Sequence, residues 1–146
     1  MSSVRPAYRL LSVFAVLLLL LASLTACSGG ITREEAKTAM DALLTALDNE
    51  NYTEAAALYH PDAAMSEDLL AAFAEQVKTK VGIDLTEGAV VEKITGMSSS
   101  YYDSTVDGSR YVLTARIKAG DKTASLAVEV IRNDNGYGIF KAECNP

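Results

Sequence analysis

A chain of 146 residues with 13 basic and 19 acidic side chains carries a net charge of −6. That acid excess, without a basic patch, argues against nucleic-acid binding. One histidine and two cysteines are too few for a His/Cys zinc cluster, so no metal site is expected.

The chain opens with Arg5 and Arg9 and no acidic residue, followed by Leu10-Leu11-Ser12-Val13-Phe14-Ala15-Val16 and the leucines Leu17 to Leu21. A basic start, an apolar core and a small-residue exit make a secretory signal over residues 1–26. The run is short against the roughly 20 residues of a spanning helix. The exit reads Leu24-Thr25-Ala26-Cys27-Ser28-Gly29-Gly30. Leu24-Thr25-Ala26-Cys27 resembles the lipobox of bacterial lipoproteins. The resemblance implies acylation of the Cys27 thiol, cleavage before Cys27 and attachment to the outer side of a cell membrane through palmitate-type chains. An ordinary signal peptide cut near Ala26, with Cys27 incidental, is the plainer alternative. With Cys27 acylated, residues 27–31 form a short tether, reaching about 10–15 Å at ~3.3–3.6 Å per residue. One acyl chain binds a bilayer marginally and two bind it firmly.

Of the remaining 120 residues, 32–146 suit one domain. Removing Arg5 and Arg9 leaves eleven basic residues against 19 acidic ones, a net charge of −8. If Cys27 carries lipid, Cys144 has no partner within the chain, and burial as a small hydrophobe is its simplest role.

Thr32-Arg33-Glu34-Glu35 has the spacing of a capping box. Ala36, Ala39, Met40, Leu43, Leu44 and Leu47 follow at intervals of three and four, predicting a helix from about Arg33 to Asp48. Asn51 is placed to cap a second helix, Tyr52 to Tyr59, burying Ala55, Ala56, Leu58 and Tyr59. Pro61 ends it by disfavouring the helical conformation at His60. Ser66 is placed to cap a third helix whose inner face is read as Leu69, Leu70, Phe73 and Val77, with Gly82 closing it.

From Gly88 the period changes to two. Ala89–Ile94 reads as a strand, and Ser98–Asp103 as a second, weaker one. Asp107-Gly108 marks a turn. Tyr111, Leu113, Ala115 and Ile117 alternate with Val112, Thr114, Arg116 and Lys118, and beyond the turn at Ala119-Gly120-Asp121 Ala124, Leu126, Val128 and Val130 alternate with Ser125, Ala127, Glu129 and Ile131, giving one apolar and one mixed face. Asn133-Asp134-Asn135-Gly136 turns again, and Tyr137 to Cys144 closes the chain. Short Gly-containing turns join antiparallel neighbours. Helices first and strands afterwards predict an α+β fold: two to three amino-terminal helices packed on a curved antiparallel sheet of about four to five strands.

This order resembles the NTF2-like and cystatin-like α+β cone, including small bacterial lipoproteins of the DUF4878 kind. Asp48, Asn49, Tyr52, Ala55, Leu58, Tyr59 and Pro61 carry the likeness: helix, polar break, aromatic, short helix, proline. The resemblance implies a pocket between helices and sheet, for which Tyr59, His60, Tyr101, Tyr102 and Tyr111 are the candidate residues. In the family's enzymes such a pocket holds an acid–base pair with tyrosine donors. Here Tyr137 is a further candidate donor, and His60, Asp62 and Asp103 are candidate bases, yet no spacing singles out a pair.

His60, with Asp62 two residues on, is read as a cap or an exposed side chain at a helix end. Asp48, Glu50 and Glu54 read as a solvated helix junction. No Gly-rich loop between strand and helix suggests a phosphate cradle, and no cofactor is expected. The leading expectation is a lipid-anchored, non-enzymatic protein that binds a small apolar ligand, a peptide or an envelope protein. The alternative is a small NTF2-like enzyme acting on a modest organic molecule.

Overall fold

The computed structural model describes residues 30–102 and 108–146, with the backbone alone at 101 and 102. The signal segment 1–26, Cys27 and Asp103 lie outside the described residues.

Helix α1 spans Arg33–Asp48. Its capping box is complete: the Glu35 amide donates to Thr32 Oγ1 at 3.2 Å and the Thr32 amide to Glu35 Oε2 at 2.8 Å. These bonds satisfy two of the amides that a helix start leaves unpaired. Ala36, Met40, Leu43, Leu44 and Leu47 form the buried stripe that their spacing predicts, joined by Ala46. The helix lies against the first three strands of the sheet, and Asp48 Oδ1 accepts the Gly88 amide at 2.8 Å, tying its end to the loop before the sheet.

Helix α2 spans Tyr52–Ala57, capped by Asn51. It stops two residues short of the expected Tyr59. Leu58 and His60 instead bond to a strand edge: the His60 amide donates to the Ile139 carbonyl at 2.8 Å and the Ile139 amide to the Leu58 carbonyl at 2.9 Å. Two sheet-like bonds here replace helical ones that Pro61 would have blocked anyway. A 3-10 turn follows at Pro61–Ala63.

Helix α3 spans Glu67–Gln76, with Ser66 as its cap. A π-helical turn, Val77–Val81, extends it, and Gly82 ends it at φ 84° in the left-handed region, as a C-cap glycine does. Leu70 and Val77 are buried and Phe73 packs partly against the core, but Leu69 is 57% exposed. Successive helical residues stand about 100° apart. The stripe through Leu70, Phe73 and Val77 therefore carries Leu69 off the inner face.

Four strands follow: β1 Val90–Tyr102, β2 Gly108–Ala119, β3 Lys122–Asn133 and β4 Gly136–Asn145. They pair in chain order, all antiparallel. The two strand segments expected over 89–103 are thus one strand. It keeps pairing with β2 through irregularities between Val91 and Lys93 and between Ile94 and Gly96, each absorbing an extra residue as bulges do. A third irregularity, opposite Glu129 and Val130, makes Phe140 the extra residue of β4.

Tyr111, Leu113, Ala115 and Ile117 on β2 and Ala124, Leu126, Val128 and Val130 on β3 are all buried. Their period of two presents one apolar face to the helices. The architecture is α+β, helices followed by an open four-stranded antiparallel sheet. The β4 edge is met by an isolated parallel bridge, Tyr59 with Ile139.

Candidate functional site

Of the candidate pocket residues, Tyr59 and Tyr111 lie within the hydrophobic core, and His60 is fully buried. The backbones of Tyr101 and Tyr102 pair with Ser109 and Gly108 at the end of β1; their side chains lie outside the described residues.

His60 is held from three sides. Its Nδ1 accepts the Asp62 amide at 2.9 Å, so it caps the 3-10 turn that follows it. Its Nε2 lies 2.9 Å from Asn133 Oδ1 and 3.1 Å from the Gly136 carbonyl. Both neighbours of Nε2 are acceptors and the neighbour of Nδ1 is a donor, which assigns the neutral tautomer protonated at Nε2. His60 is neither exposed nor a cation closing the helix before it; it caps the turn after it.

The network closes through Asp62. Asn133 Nδ2 donates to Asp62 Oδ2 at 2.9 Å and Asn135 Nδ2 to Asp62 Oδ1 at 3.0 Å. The Asn135 amide donates to Asn133 Oδ1 at 2.9 Å. These bonds, the Asn133 one foremost, hold the Asp62 carboxyl below the usual carboxylate range, with partial desolvation opposing. Both ring nitrogens and both carboxylate oxygens are therefore engaged in joining the 60–62 segment to the β3–β4 turn. The asparagines read in the sequence only as a turn are half of this cluster.

A second cluster lies where the described chain begins. Arg132, near the end of β3, donates from Nη2 to Glu35 Oε1 at 2.7 Å and from Nη1 to the Gly30 carbonyl at 2.8 Å. Its guanidinium sits 4.8 Å from the centre of the Tyr137 ring, a cation–π distance. Tyr137 donates its hydroxyl to the Glu35 carbonyl at 3.2 Å. Partial burial raises the Glu35 carboxyl, but Arg132 and Thr32 more than offset it, and its pKa lies below normal.

Burial pushes the Tyr59 phenol up to about 12. Burial and the Glu35 carboxylate take Tyr137 to about 12 against the opposing Arg132 charge. Both phenols hold their protons at neutral pH. Cys144 is a free thiol raised to about 11 by burial, which leaves little of the nucleophilic thiolate.

A cavity of about 390 Å³ opens elsewhere, lined by Thr95, Arg116, Thr123, Ala124, Ser125 and Pro146. Arg116 and Ser125 are directly paired across β2 and β3 and alternate with core residues, so they stand on the sheet face away from the helices. Glu92 Oε2 approaches Arg116 Nη1 at 3.9 Å. Among the described residues the lining offers one cation and three hydroxyls, and neither Tyr59 nor Tyr111 contributes to it.

Among the described residues, no group of three or more His, Cys, Asp or Glu side chains is placed to hold a metal. No helix among them is long and apolar enough to cross a membrane. Comparison with protein-family models, curated proteins and solved structures gave no match.

Proposed function

We propose that this chain is a membrane-anchored, extracytoplasmic lipoprotein, acylated at Cys27, whose domain is a non-enzymatic binding module of the NTF2-like cone type. The observation that carries the anchor is one of sequence and distance. Leu24-Thr25-Ala26-Cys27 stands three residues before Gly30, and Gly30 is already bonded to the folded domain through Arg132. Two acyl chains at Cys27 would hold such a domain on a bilayer without a spanning helix.

The cone reading is supported by helices lying before an antiparallel meander, with α1 packed against β1, β2 and β3. The binding reading is supported by the engaged state of the candidate acid–base groups: His60 and Asp62 spend their polar atoms on each other's surroundings. The guanidinium and hydroxyls lining the cavity around Arg116 suit a polar or anionic group of a small ligand, a peptide or an envelope protein.

The test is expression of the full chain in a bacterial host with a clickable palmitate analogue. The wild type is expected to take up label and sediment with membranes, and Cys27→Ser to lose both. Equal membrane retention by the two proteins, without label, would contradict the anchor.

A further inference from the structure

The Arg132 cluster does more than close a helix start. It joins the first described residue, Gly30, and the first turn of α1 to the hairpin of β3 and β4. Arg132 is only 15% exposed in its side chain, and Ile31 packs against the core beside it in the chain. The point where the polypeptide leaves the domain toward Cys27 is therefore fixed at one end of the sheet, the end that carries the β3–β4 turn.

Resting on the lipid-anchor reading, we propose that the domain meets the bilayer in one orientation. The end bearing the β3–β4 turn and the 3-10 turn Pro61–Ala63 faces the lipid head groups, and the end bearing the β2–β3 turn faces away.

The lengths decide this. Gly30 is three steps along the chain from Cys27, and at ~3.3–3.6 Å per residue they reach about 10–11 Å. Strand β3 has 12 residues, and a strand of that length at ~3.3 Å per residue runs about 40 Å. The far turn lies well beyond the tether's reach, so only the near end is held at the membrane.

Two further features favour an upright domain over one lying flat. The part after residue 26 carries a net charge of −8, which repels the domain as a whole from anionic lipid and limits contact to what the tether imposes. Among the described residues the large apolar side chains left exposed are dispersed: Leu69 stands on α3, Val90 and Met97 stand seven residues apart on β1, and Tyr137 stands on β4. They form no greasy strip along one side. Around the β3–β4 turn the described side chains of Asp62, Asn133 and Asn135 are polar and bonded to one another, which suits contact with head groups without insertion.

The orientation also places the cavity lined by Arg116 and Thr123 outward, because Thr123 lies next to the β2–β3 turn. A ligand arriving from outside would meet it first.

The test uses the lipidated chain in vesicles containing anionic lipid and a head-group quencher, in a Cys144→Ala background. A fluorophore is attached at Asp134→Cys, in the near turn, or at Asp121→Cys, in the far turn. The near label is expected to be quenched several-fold more than the far one. Inserting ten Gly-Ser residues after Ser28, which leaves the Arg132 cluster intact, is expected to shrink that difference toward one.

Equal quenching of the two labels on bound protein would overturn the orientation while leaving the anchor standing. A difference undiminished by the long tether would overturn the tether as its cause. Failure of the lipidated protein to bind vesicles would instead overturn the anchor reading on which the orientation rests.

Discussion

His60 Nε2 lies 2.9 Å from Asn133 Oδ1 across 73 residues of sequence, in a side chain with no solvent exposure. That bond fastens the segment after α2 to the β3–β4 turn, and it turns the chain's single histidine into a structural group. His60→Ala would remove the acceptor of the Asp62 amide and one partner each of Asn133 Oδ1 and the Gly136 carbonyl, and would open a cavity. A loss of about 2–4 kcal/mol is expected in chemical denaturation, given the cost of unsatisfied buried polar groups and of lost packing. Nitrogen-15 NMR should find the ring neutral and protonated at Nε2; a proton on Nδ1 would contradict the network.

Gly138 makes the neighbouring contact feasible. A Cβ built there would come 2.5 Å from the His60 amide nitrogen and 2.8 Å from the Tyr59 carbonyl carbon. Both neighbours are backbone and cannot swing aside. Gly138→Ala should therefore break the Tyr59–Ile139 bridge and cost about 1–3 kcal/mol, the usual penalty for overpacking. Hydrogen exchange should show the Ile139 and His60 amides losing protection first; unchanged protection would remove the close approach from the account.

Asp84 supplies a pH-dependent link. Lys78 Nζ lies 2.7 Å from its Oδ2, and the Thr86 hydroxyl and amide donate to Oδ1 at 2.7 and 3.0 Å. The Lys78 bond first, then those from Thr86, lower the Asp84 carboxyl to about 2. A carboxyl depressed in the folded state stabilises it above the unfolded value near 3.9, and that contribution fades as pH falls through about 2. Lys78→Ala should move the Asp84 midpoint, followed by carboxyl carbon NMR, upward toward the ordinary range. A midpoint that stays near 2 would assign the shift to Thr86 alone.

Much of the fold was legible because its cues are local. The Thr32–Glu35 spacing, the stripe from Ala36 to Leu47 and the alternation from Tyr111 to Ile117 each declare their element within one window. The errors arose where distant partners decide. Gly96 and Ser98 to Ser100 have poor strand propensity, yet β2 pairs with all four and carries one strand through them. Leu69 and Leu70 are equal in composition, and only the stripe they share with Phe73 and Val77 separates them. The Tyr59–Ile139 bridge is a single pair and leaves no period to read. At the candidate site, His60 stands out as the single histidine at a helix end, but its role in capping the next turn does not. Its burial depends on Asn133, and the Arg132–Gly30 bond spans 102 residues, so neither could be inferred from neighbours in the chain.

The central claim is the lipid at Cys27, and intact mass spectrometry of the mature polypeptide from membranes tests it most directly. The account predicts a chain beginning at Cys27 with the mass of a diacylglyceryl group on its sulfur. A mature chain with an unmodified thiol at that position, or one cut elsewhere, would contradict it.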